Sequence, residues 1–171
     1  MLDINKFRIV EDFPKKGIKF IDITTVMNDP AAFREAFDAL LEKVKPLNLD
    51  VIVALETRGY FFGPALALAL GIPFVPIRKA GKLPYKTYKE SYNLEYGQAT
   101  IEMHVDAMQP HQRVLIFDDI LATGGTASAA IRIVRNFDPT FIATCFLMEI
   151  NALKGRDKLV ECDTIECLLS F

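Results

Sequence analysis

One segment, residues 113–126, constrains the fold of this chain more than any other part of the sequence. It begins with an unbroken apolar run at residues 114–117, which is typical of a strand buried on both faces of a parallel sheet. Two acids, Asp118 and Asp119, follow at the point where we expect the strand to end. After a short turn, a helix is predicted at about residues 127–136. A strand that leads through a tight turn into a helix is typical of an α/β domain.

The turn between this strand and this helix carries small residues, hydroxyl groups and glycines. Its members are Ala122, Thr123, Gly124, Gly125 and Thr126. Backbone N–H groups and the positive end of the helix dipole at such a turn favour a bound phosphate. Two neighbouring acids do not suit a simple anion site, so we interpret the ligand as a sugar phosphate whose ribose hydroxyl groups donate to the carboxylates. The alternative is that both acids only cap the turn or the helix.

The length and composition of the chain exclude several classes of protein. At 171 residues it is large enough for a single domain with its own core. A net charge of −2 and a pI near 5.7 argue against a nucleic-acid binder, which normally carries a basic face. The longest apolar run, around residues 65–70, is too short to span a membrane. The common nucleotide-binding loops, G-x-x-x-x-G-K-[ST] and G-x-G-x-x-G after a strand, do not occur in the sequence.

The start of the chain and its cysteines favour a cytoplasmic protein. The first residues lack the pattern of a signal peptide. Cys145, Cys162 and Cys167 are odd in number and show neither C-x-x-C nor zinc spacing, so we interpret them as reduced structural thiols. His104 and His111 lie in polar surroundings without a nearby ligand set, which predicts no intrinsic transition-metal site.

Predicted strands alternate with predicted helices along the chain. Asp29 and Pro30 are typical of the N-cap and the first position of a helix, whose apolar residues repeat at helical spacing. These residues are Phe33, Phe37, Leu40, Leu41 and Val44. Further strands are predicted at residues 50–55, 74–78, 141–148 and 164–169, and a further helix at residues 60–70. The alternation predicts a mainly parallel central sheet flanked by helices, with ligands at the carboxyl ends of its strands.

Residues 85–103 differ from the rest of the chain. Tyrosine, lysine, threonine and glutamate residues alternate there without a strong apolar face. We predict two exposed strands or a long hairpin that projects from the sheet. A polar segment of this kind beside a phosphate-ester site is a candidate lid. The alternative is an ordinary surface hairpin.

A second candidate site follows the strand predicted at residues 50–55. Its members are Glu56, Thr57, Arg58 and Gly59. An arginine binds two phosphate oxygens at once, and a glycine allows the backbone to approach closely. A basic segment after the next predicted strand adds Arg78, Lys79 and Lys82. Each group alone could be a solvated charged surface, but with the ribose-phosphate turn they indicate a ligand with a phosphate at one end and a diphosphate at the other.

Five segments of the chain resemble, in sequence and in order, those of the type I phosphoribosyltransferases, in particular the adenine-specific members. They are residues 13–24, 56–59, 78–84, 92–97 and 118–126. The resemblance covers most of the chain from about Phe13 to Thr126 and weakens beyond it. It implies an α/β type I phosphoribosyltransferase fold in one domain, residues 1–171, with a small N-terminal hood at about residues 1–30. A flexible hairpin that serves as a lid is implied at about residues 80–104.

The resemblance also implies an enzyme of purine salvage. Such an enzyme makes AMP and pyrophosphate from adenine and 5-phosphoribosyl 1-pyrophosphate through an oxocarbenium-like transition state, with Mg²⁺ held mainly by substrate oxygens and water. One alternative is another purine phosphoribosyltransferase, which acts on xanthine or hypoxanthine. A second is a non-catalytic regulator that binds phosphoribosyl pyrophosphate, but such a regulator normally adds a DNA-binding domain, for which this chain has neither the length nor the basic face.

The resemblance assigns a role to each matching residue. The ribose hydroxyl groups are assigned to Asp118 and Asp119, and the 5-phosphate to the turn at residues 122–126. Pyrophosphate is assigned to Glu56, Thr57, Arg58, Arg78, Lys79 and Lys82, with a cis peptide bond between Glu56 and Thr57. Adenine is assigned to Lys19, Phe20, Ile21 and Leu153. The catalytic residues are Glu95, as the base that handles the purine proton, and Arg58.

Two positions depart from the family pattern. Ile21 stands where relatives usually carry Arg or Lys, and Lys16 stands where many carry Pro. If the family's contact with adenine at residue 21 is made by the backbone, Ile21 keeps it. Ile21 cannot replace a basic side chain that helps to hold the second substrate.

The helix predicted at residues 60–70 bears on oligomeric state, because it is apolar almost all round. Such a helix must be buried on more than one side. We therefore expect a homodimer, the alternative being a core helix that is fully covered within one subunit.

Overall fold

The computed structural model describes residues 3–13, 15–17, 19–93 and 97–171. Contacts between residues divide the chain into two units, Met1–Glu42 and Lys43–Phe171. The proposed base Glu95 and its two neighbours lie outside the described residues. The prediction made for Glu95 therefore stays a prediction.

The first unit contains a small antiparallel sheet. Strand β1 (Arg8–Val10) pairs with β2 (Phe20–Asp22), and Ile9 lies opposite Ile21 in this pair. The short helix α1 (Thr24–Met27) follows β2. The residues assigned to adenine near the start of the chain, Lys19, Phe20 and Ile21, thus lie on or next to a strand.

Helix α2 (Pro30–Val44) begins where the sequence predicts. Its N-cap is Asp29, whose Oδ1 accepts from the Ala31 and Ala32 amides at 2.9 and 3.2 Å. The buried stripe, however, is centred beside the predicted apolar face. It consists of Ala32, Ala36, Leu40 and Val44, while Phe33, Phe37 and Leu41 are half-buried. The buried positions repeat at every fourth residue, and the two aromatic rings lie at the flanks of this stripe.

The second unit is built on one sheet. Its strands are β3 (Val51–Leu55), β4 (Phe74–Lys79), β5 (Thr87–Asn93), β6 (Gln98–His104), β7 (Arg113–Leu121), β8 (Phe141–Glu149) and β9 (Thr164–Ser170). They form a seven-stranded sheet in the order β5-β6-β4-β3-β7-β8-β9. The neighbouring pairs along β4-β3-β7-β8-β9 are parallel. Strand β6 pairs antiparallel with both β4 and β5. The predicted mainly parallel central sheet is confirmed.

Strand β7 is longer than predicted. The prediction that it ends before the two acids was wrong, because Asp118 and Asp119 lie inside it and the strand continues to Leu121. Pairing with β8 maintains the extension, since Ile120 and Leu121 still have partners on that strand. The acids are therefore held by the sheet and not by a free loop.

The two helices of the second unit start at other residues than predicted. Helix α3 (Gly63–Leu70) is preceded by a 3-10 turn at Arg58–Phe61, because Pro64 suits the first turn of an α-helix. Helix α4 (Gly125–Arg135) starts earlier than predicted, with Gly124 at its N-cap in the left-handed conformation at φ 76°.

The predicted hairpin at residues 85–103 is present as β5 and β6. It is not exposed along its whole length, however. Strand β6 pairs with β4, so that Arg78 lies opposite Glu102, and Ile101 and Met103 are buried. The hairpin thus forms one edge of the central sheet. Its alternation of residue types did not indicate that β6 would pair with β4 and be partly buried.

The central strands of the second unit form its core. Every residue of β3 is buried, which is typical of a strand covered on both faces of a parallel sheet. In the parallel pair of β3 and β7, Ala54 lies opposite Phe117. The residues that follow these two positions, Glu56 and Asp118 onwards, are therefore brought to the same edge of the sheet.

The described part of the chain also bears on the classes excluded from the sequence. Cys145, Cys162 and Cys167 are all free thiols. Burial raises the pKa of each, and that of Cys167 to about 11. Among the described residues, no helix combines the length and apolar character that crossing a bilayer requires.

Candidate active site

The turn between β7 and α4 is packed against a second loop. A side chain at Gly124 would collide with the backbone carbonyl oxygen of Gly155, and one at Gly155 would collide with that of Ala122. Two glycines are needed for this close approach. No role was predicted for Gly155, because its importance arises from a contact between loops that are far apart in the chain.

A cleft of about 420 Å³ lies at the carboxyl ends of β3 and β7. It is lined by Glu56, Thr57, Arg58, Lys79, Tyr92 and residues 118–127. The structure thus brings together all the residues assigned to ribose and 5-phosphate and most of those assigned to pyrophosphate. Tyr92 also lines the cleft, and it belongs to the 92–97 segment that the resemblance pointed out without giving the ring a role.

An ion pair joins the two predicted halves of this cleft. Arg58 Nε lies 2.7 Å from Asp119 Oδ2, where the arginine side chain is 40% exposed and that of the acid 5%. The amide of Asp119 in turn donates to Asp118 Oδ1 at 2.9 Å. The residue assigned to pyrophosphate is therefore bonded directly to a residue assigned to ribose.

The two acids affect one another's ionisation. Burial raises the pKa of Asp118 well above its usual value, and the neighbouring charge of Asp119 raises it further. Burial also raises the pKa of Asp119, although the guanidinium of Arg58 opposes that change. A pair of this kind suits hydroxyl donors, because a ribose hydroxyl satisfies a carboxylate without adding charge.

Glu56 is the centre of a second charged group. Its Oε2 accepts from Arg78 Nε at 3.2 Å and from the Lys79 amide at 3.1 Å, and its Oε1 pairs with Lys82 Nζ. Burial raises the pKa of Glu56, but these donors more than offset it, so that the pKa lies below its usual value. The carboxylate is thus an ionised partner of the basic segment, and a contact of residue 56 with pyrophosphate would come from its backbone.

The peptide bond between Glu56 and Thr57 is cis, as the resemblance implied. Thr57 itself is exposed at the cleft, next to the 3-10 turn that begins with Arg58. Arg78 and Lys82 are not among the described residues that line the cleft, although both side chains pair with Glu56, which does line it.

The residues assigned to adenine are distributed over both units. In the first unit, Lys19 pairs with Glu11 at 3.2 Å, and Phe20 meets Phe13 edge to face with ring centroids 5.2 Å apart. Ile21 is buried. In the second unit, Leu153 ends the 3-10 helix Asn151–Leu153 and is 44% exposed, and it is not among the described residues that line the cleft. The assignment of these residues to adenine stays a prediction.

Known proteins similar to this chain agree on its family. A family model described as phosphoribosyl transferase domain matches residues 23–170. An adenine phosphoribosyltransferase of Desulfitobacterium hafniense is 50% identical over 159 residues, which cover 92% of each chain. By this match, the chain belongs to the phosphoribosyltransferase family.

Solved structures extend this likeness to the whole fold. The adenine phosphoribosyltransferase of Thermoanaerobacter pseudethanolicus superposes with a TM-score of 0.92 at 45% identity, over 98% of this chain and 96% of the other. The enzyme of Saccharomyces cerevisiae, solved with adenine and an imino-altritol bisphosphate, gives 0.87 at 41% identity, over 94% and 93%. The type I phosphoribosyltransferase fold predicted from the sequence is confirmed.

Proposed function

We infer that this chain makes AMP and pyrophosphate from adenine and 5-phosphoribosyl 1-pyrophosphate, a reaction of purine salvage. The observation that carries this proposal is the cleft in which Arg58 and the acids of β7 adjoin the glycine turn at residues 122–126. The choice of adenine rests on the relatives, which are named adenine phosphoribosyltransferases at about half identity over nearly the whole chain.

The cleft residues divide the work of the reaction. The turn at residues 122–126 holds the 5-phosphate at the start of α4, and Asp118 and Asp119 accept from the ribose hydroxyl groups. Arg58 and Lys79 bind the pyrophosphate as it leaves. Arg78 and Lys82, which pair with Glu56, also bind it in this proposal. Breaking the C1–oxygen bond leaves positive charge on the ribose, so the acids next to the sugar stabilise an oxocarbenium-like transition state.

In this proposal, a magnesium ion travels with the substrate and is held mainly by substrate oxygens and water. The described residues contain no group of three or more His, Cys, Asp or Glu side chains that could hold a metal, and Asp119 is already paired with Arg58. Bound through substrate oxygens and water, Mg²⁺ would neutralise charge on the pyrophosphate leaving group. We assign no protein ligand to it.

The base is read by backbone groups in this proposal. The Lys19 carbonyl accepts from the adenine amino group and the Ile21 amide donates to adenine N1, while Phe20 and Leu153 cover the faces of the ring. Glu95 takes the purine proton. The segment at about residues 80–104 closes over the reactants and excludes water.

We also propose that residues 1–171 act as one domain, with a hood at about residues 1–30, in a cytoplasmic homodimer. Helix α3 supports the dimer, because it consists of glycine, proline, alanine and leucine and yet leaves Leu68 84% exposed. An apolar helix with an uncovered leucine fits a second copy of the chain against that side.

A single assay tests the function. Adenine, guanine, hypoxanthine and xanthine are each supplied with phosphoribosyl pyrophosphate and Mg²⁺, and pyrophosphate release is measured. We expect kcat/KM for adenine to exceed that for hypoxanthine by about 10⁴ or more, because hypoxanthine presents its donor and acceptor in reverse order and leaves buried backbone groups unpaired. Comparable turnover of hypoxanthine would contradict the assignment of Lys19 and Ile21. A chain that binds phosphoribosyl pyrophosphate and releases no pyrophosphate with any base would be a regulator.

A further inference from the structure

The acid Glu102 lies outside the cleft and has no part in the roles given above. It sits in β6 and is 1% exposed. A buried carboxylate destabilises the fold unless its oxygens are fully paired, and an apolar residue would otherwise suit this strand better. The groups that donate to Glu102 therefore indicate which parts of the structure its charge holds in place.

Glu102 is bonded on two sides. Its Oε1 accepts from the backbone amides of Lys82 and Leu83, at 2.9 and 3.0 Å. Its Oε2 accepts from Thr87 Oγ1 at 3.3 Å and lies 3.1 Å from Lys89 Nζ. Burial raises the pKa of Glu102, but these donors more than offset it, so the group is ionised at neutral pH. One oxygen holds the basic segment, and the other holds β5.

The same short segment is also held by Glu56. Lys82 Nζ and Arg78 Nε both pair with Glu56, and Arg78 Nη1 donates to the Lys82 carbonyl at 3.5 Å. Lys82 is thus fixed at its ammonium group by one acid and at its backbone by another. The two contacts together determine where the side chains of this segment lie.

We propose that Glu102 is a positioning residue for the pyrophosphate end of the site. It fixes the backbone at Lys82 and Leu83 so that Glu56 can hold Arg78 and Lys82 beside the cleft. Glu102 contacts no substrate in this proposal, and it acts through the basic segment alone. The expected effect of Glu102 on KM for phosphoribosyl pyrophosphate rests on the proposed function. Its expected effect on the backbone at Lys82 and Leu83 does not.

The test compares three variants of the full-length chain. Glu102→Ala removes all four contacts, whereas Glu102→Gln keeps an amide oxygen that can accept from both backbone amides. Lys89→Met is the matched control, because it breaks an ion pair of the same carboxylate on the β5 side only. Steady-state constants for phosphoribosyl pyrophosphate and for adenine are measured, together with hydrogen exchange at the Lys82 and Leu83 amides.

We expect Glu102→Ala to raise KM for phosphoribosyl pyrophosphate by about 10-fold or more, with a much smaller change in KM for adenine. Exchange at both amides should accelerate, Glu102→Gln should restore much of both properties, and Lys89→Met should change neither. Equal effects of Glu102→Ala and Lys89→Met on stability, with an unchanged KM for phosphoribosyl pyrophosphate, would reduce Glu102 to a fold residue and overturn the proposal. If Glu102→Ala does not fold, Glu102→Leu takes its place, because leucine fills the buried position but accepts from neither the Lys82 nor the Leu83 amide, and the same outcomes apply.

Failure of the proposed function is recognised separately. A wild-type chain that turns over no purine base would refute the enzyme but would leave the amide-exchange prediction testable, with binding of magnesium pyrophosphate in place of KM. Unchanged exchange at Lys82 and Leu83 in Glu102→Ala would refute the positioning role whether or not the wild type is active.

Discussion

Replacing Arg58 by alanine removes both the guanidinium assigned to pyrophosphate and the partner of Asp119. The loss of a bidentate charged contact costs about 2–4 kcal/mol of transition-state stabilisation. We therefore expect kcat/KM for phosphoribosyl pyrophosphate to fall by about 30-fold to 900-fold. Binding of adenine should change far less, because adenine is assigned to the backbone around Phe20.

The same substitution should also lower stability, because Asp119 is 5% exposed and would lose an ion pair of 2.7 Å. An unpaired buried acceptor costs about 1–3 kcal/mol, which lowers Tm by about 2–12 °C in a chain of this size. Without Arg58, the pKa of Asp119, already raised by burial, rises further. The folded variant then binds more protons than the unfolded chain, so its deficit in Tm grows as pH rises above the usual range of an aspartate.

Two control variants separate these effects. Arg34→Ala breaks an Nε–Oδ2 pair of 2.9 Å with Asp38, but there the arginine side chain is 74% exposed, so we expect a change of less than about 1 kcal/mol and full activity. The double variant Arg58→Ala/Asp119→Asn removes the unpaired charge, and should regain Tm without regaining activity.

The assays are steady-state kinetics with each substrate varied in turn, and thermal unfolding between pH 5 and pH 8. Unchanged constants for phosphoribosyl pyrophosphate in Arg58→Ala would show that Arg58 is only a surface charge. A Tm that equals the wild type at every pH would refute the energetic role of its pair with Asp119.

Three further predictions concern the loop, the dimer and the base. Gly124→Ala should lower Tm, and kcat/KM for phosphoribosyl pyrophosphate, by more than Gly71→Ala does. Both glycines have a positive φ, but only Gly124 faces a backbone oxygen. Equal losses would show that backbone strain explains both. Leu68→Asp should yield monomers in sedimentation, while Val160→Asp, at a similarly exposed position, should not; a stable wild-type monomer at micromolar concentration would exclude the dimer. Glu95→Gln should lower kcat by about 10²–10³ and leave the fold intact, and a wild-type rate in single-turnover experiments would contradict its role as base.

Local patterns determined much of the fold. The apolar runs of β3 and β7 are covered on both faces in the sheet, and the Asp29–Pro30 pair marks the start of α2 because capping depends on adjacent residues alone. The extent of β7 beyond Phe117 was not predictable in this way, because β8 extends it by pairing with residues far along the chain. The burial of β6 has the same origin in its pairing with β4.

The candidate site divides along the same line. The acids of β7 and the glycine turn were predictable because they occupy one continuous segment with a recognisable order of residue types. Contacts between segments were not, and they include the approach of Gly155 to the turn and the amide contacts of Glu102. The residues next to Gly155 in the sequence are those of an ordinary turn, and the residues next to Glu102 are those of an ordinary strand.

The pairing of charges in this site changes what substrate binding must do. Three cations assigned to pyrophosphate already have acids as partners, Arg58 with Asp119, and both Arg78 and Lys82 with Glu56. In the proposed function, pyrophosphate would therefore compete with internal carboxylates for Arg58, Arg78 and Lys82. Each acid released in that exchange needs another donor, and for Asp119 the ribose hydroxyl groups are the donors at hand. One molecule that carries both a diphosphate and a ribose satisfies both sides of the Arg58–Asp119 pair, whereas free pyrophosphate satisfies only one.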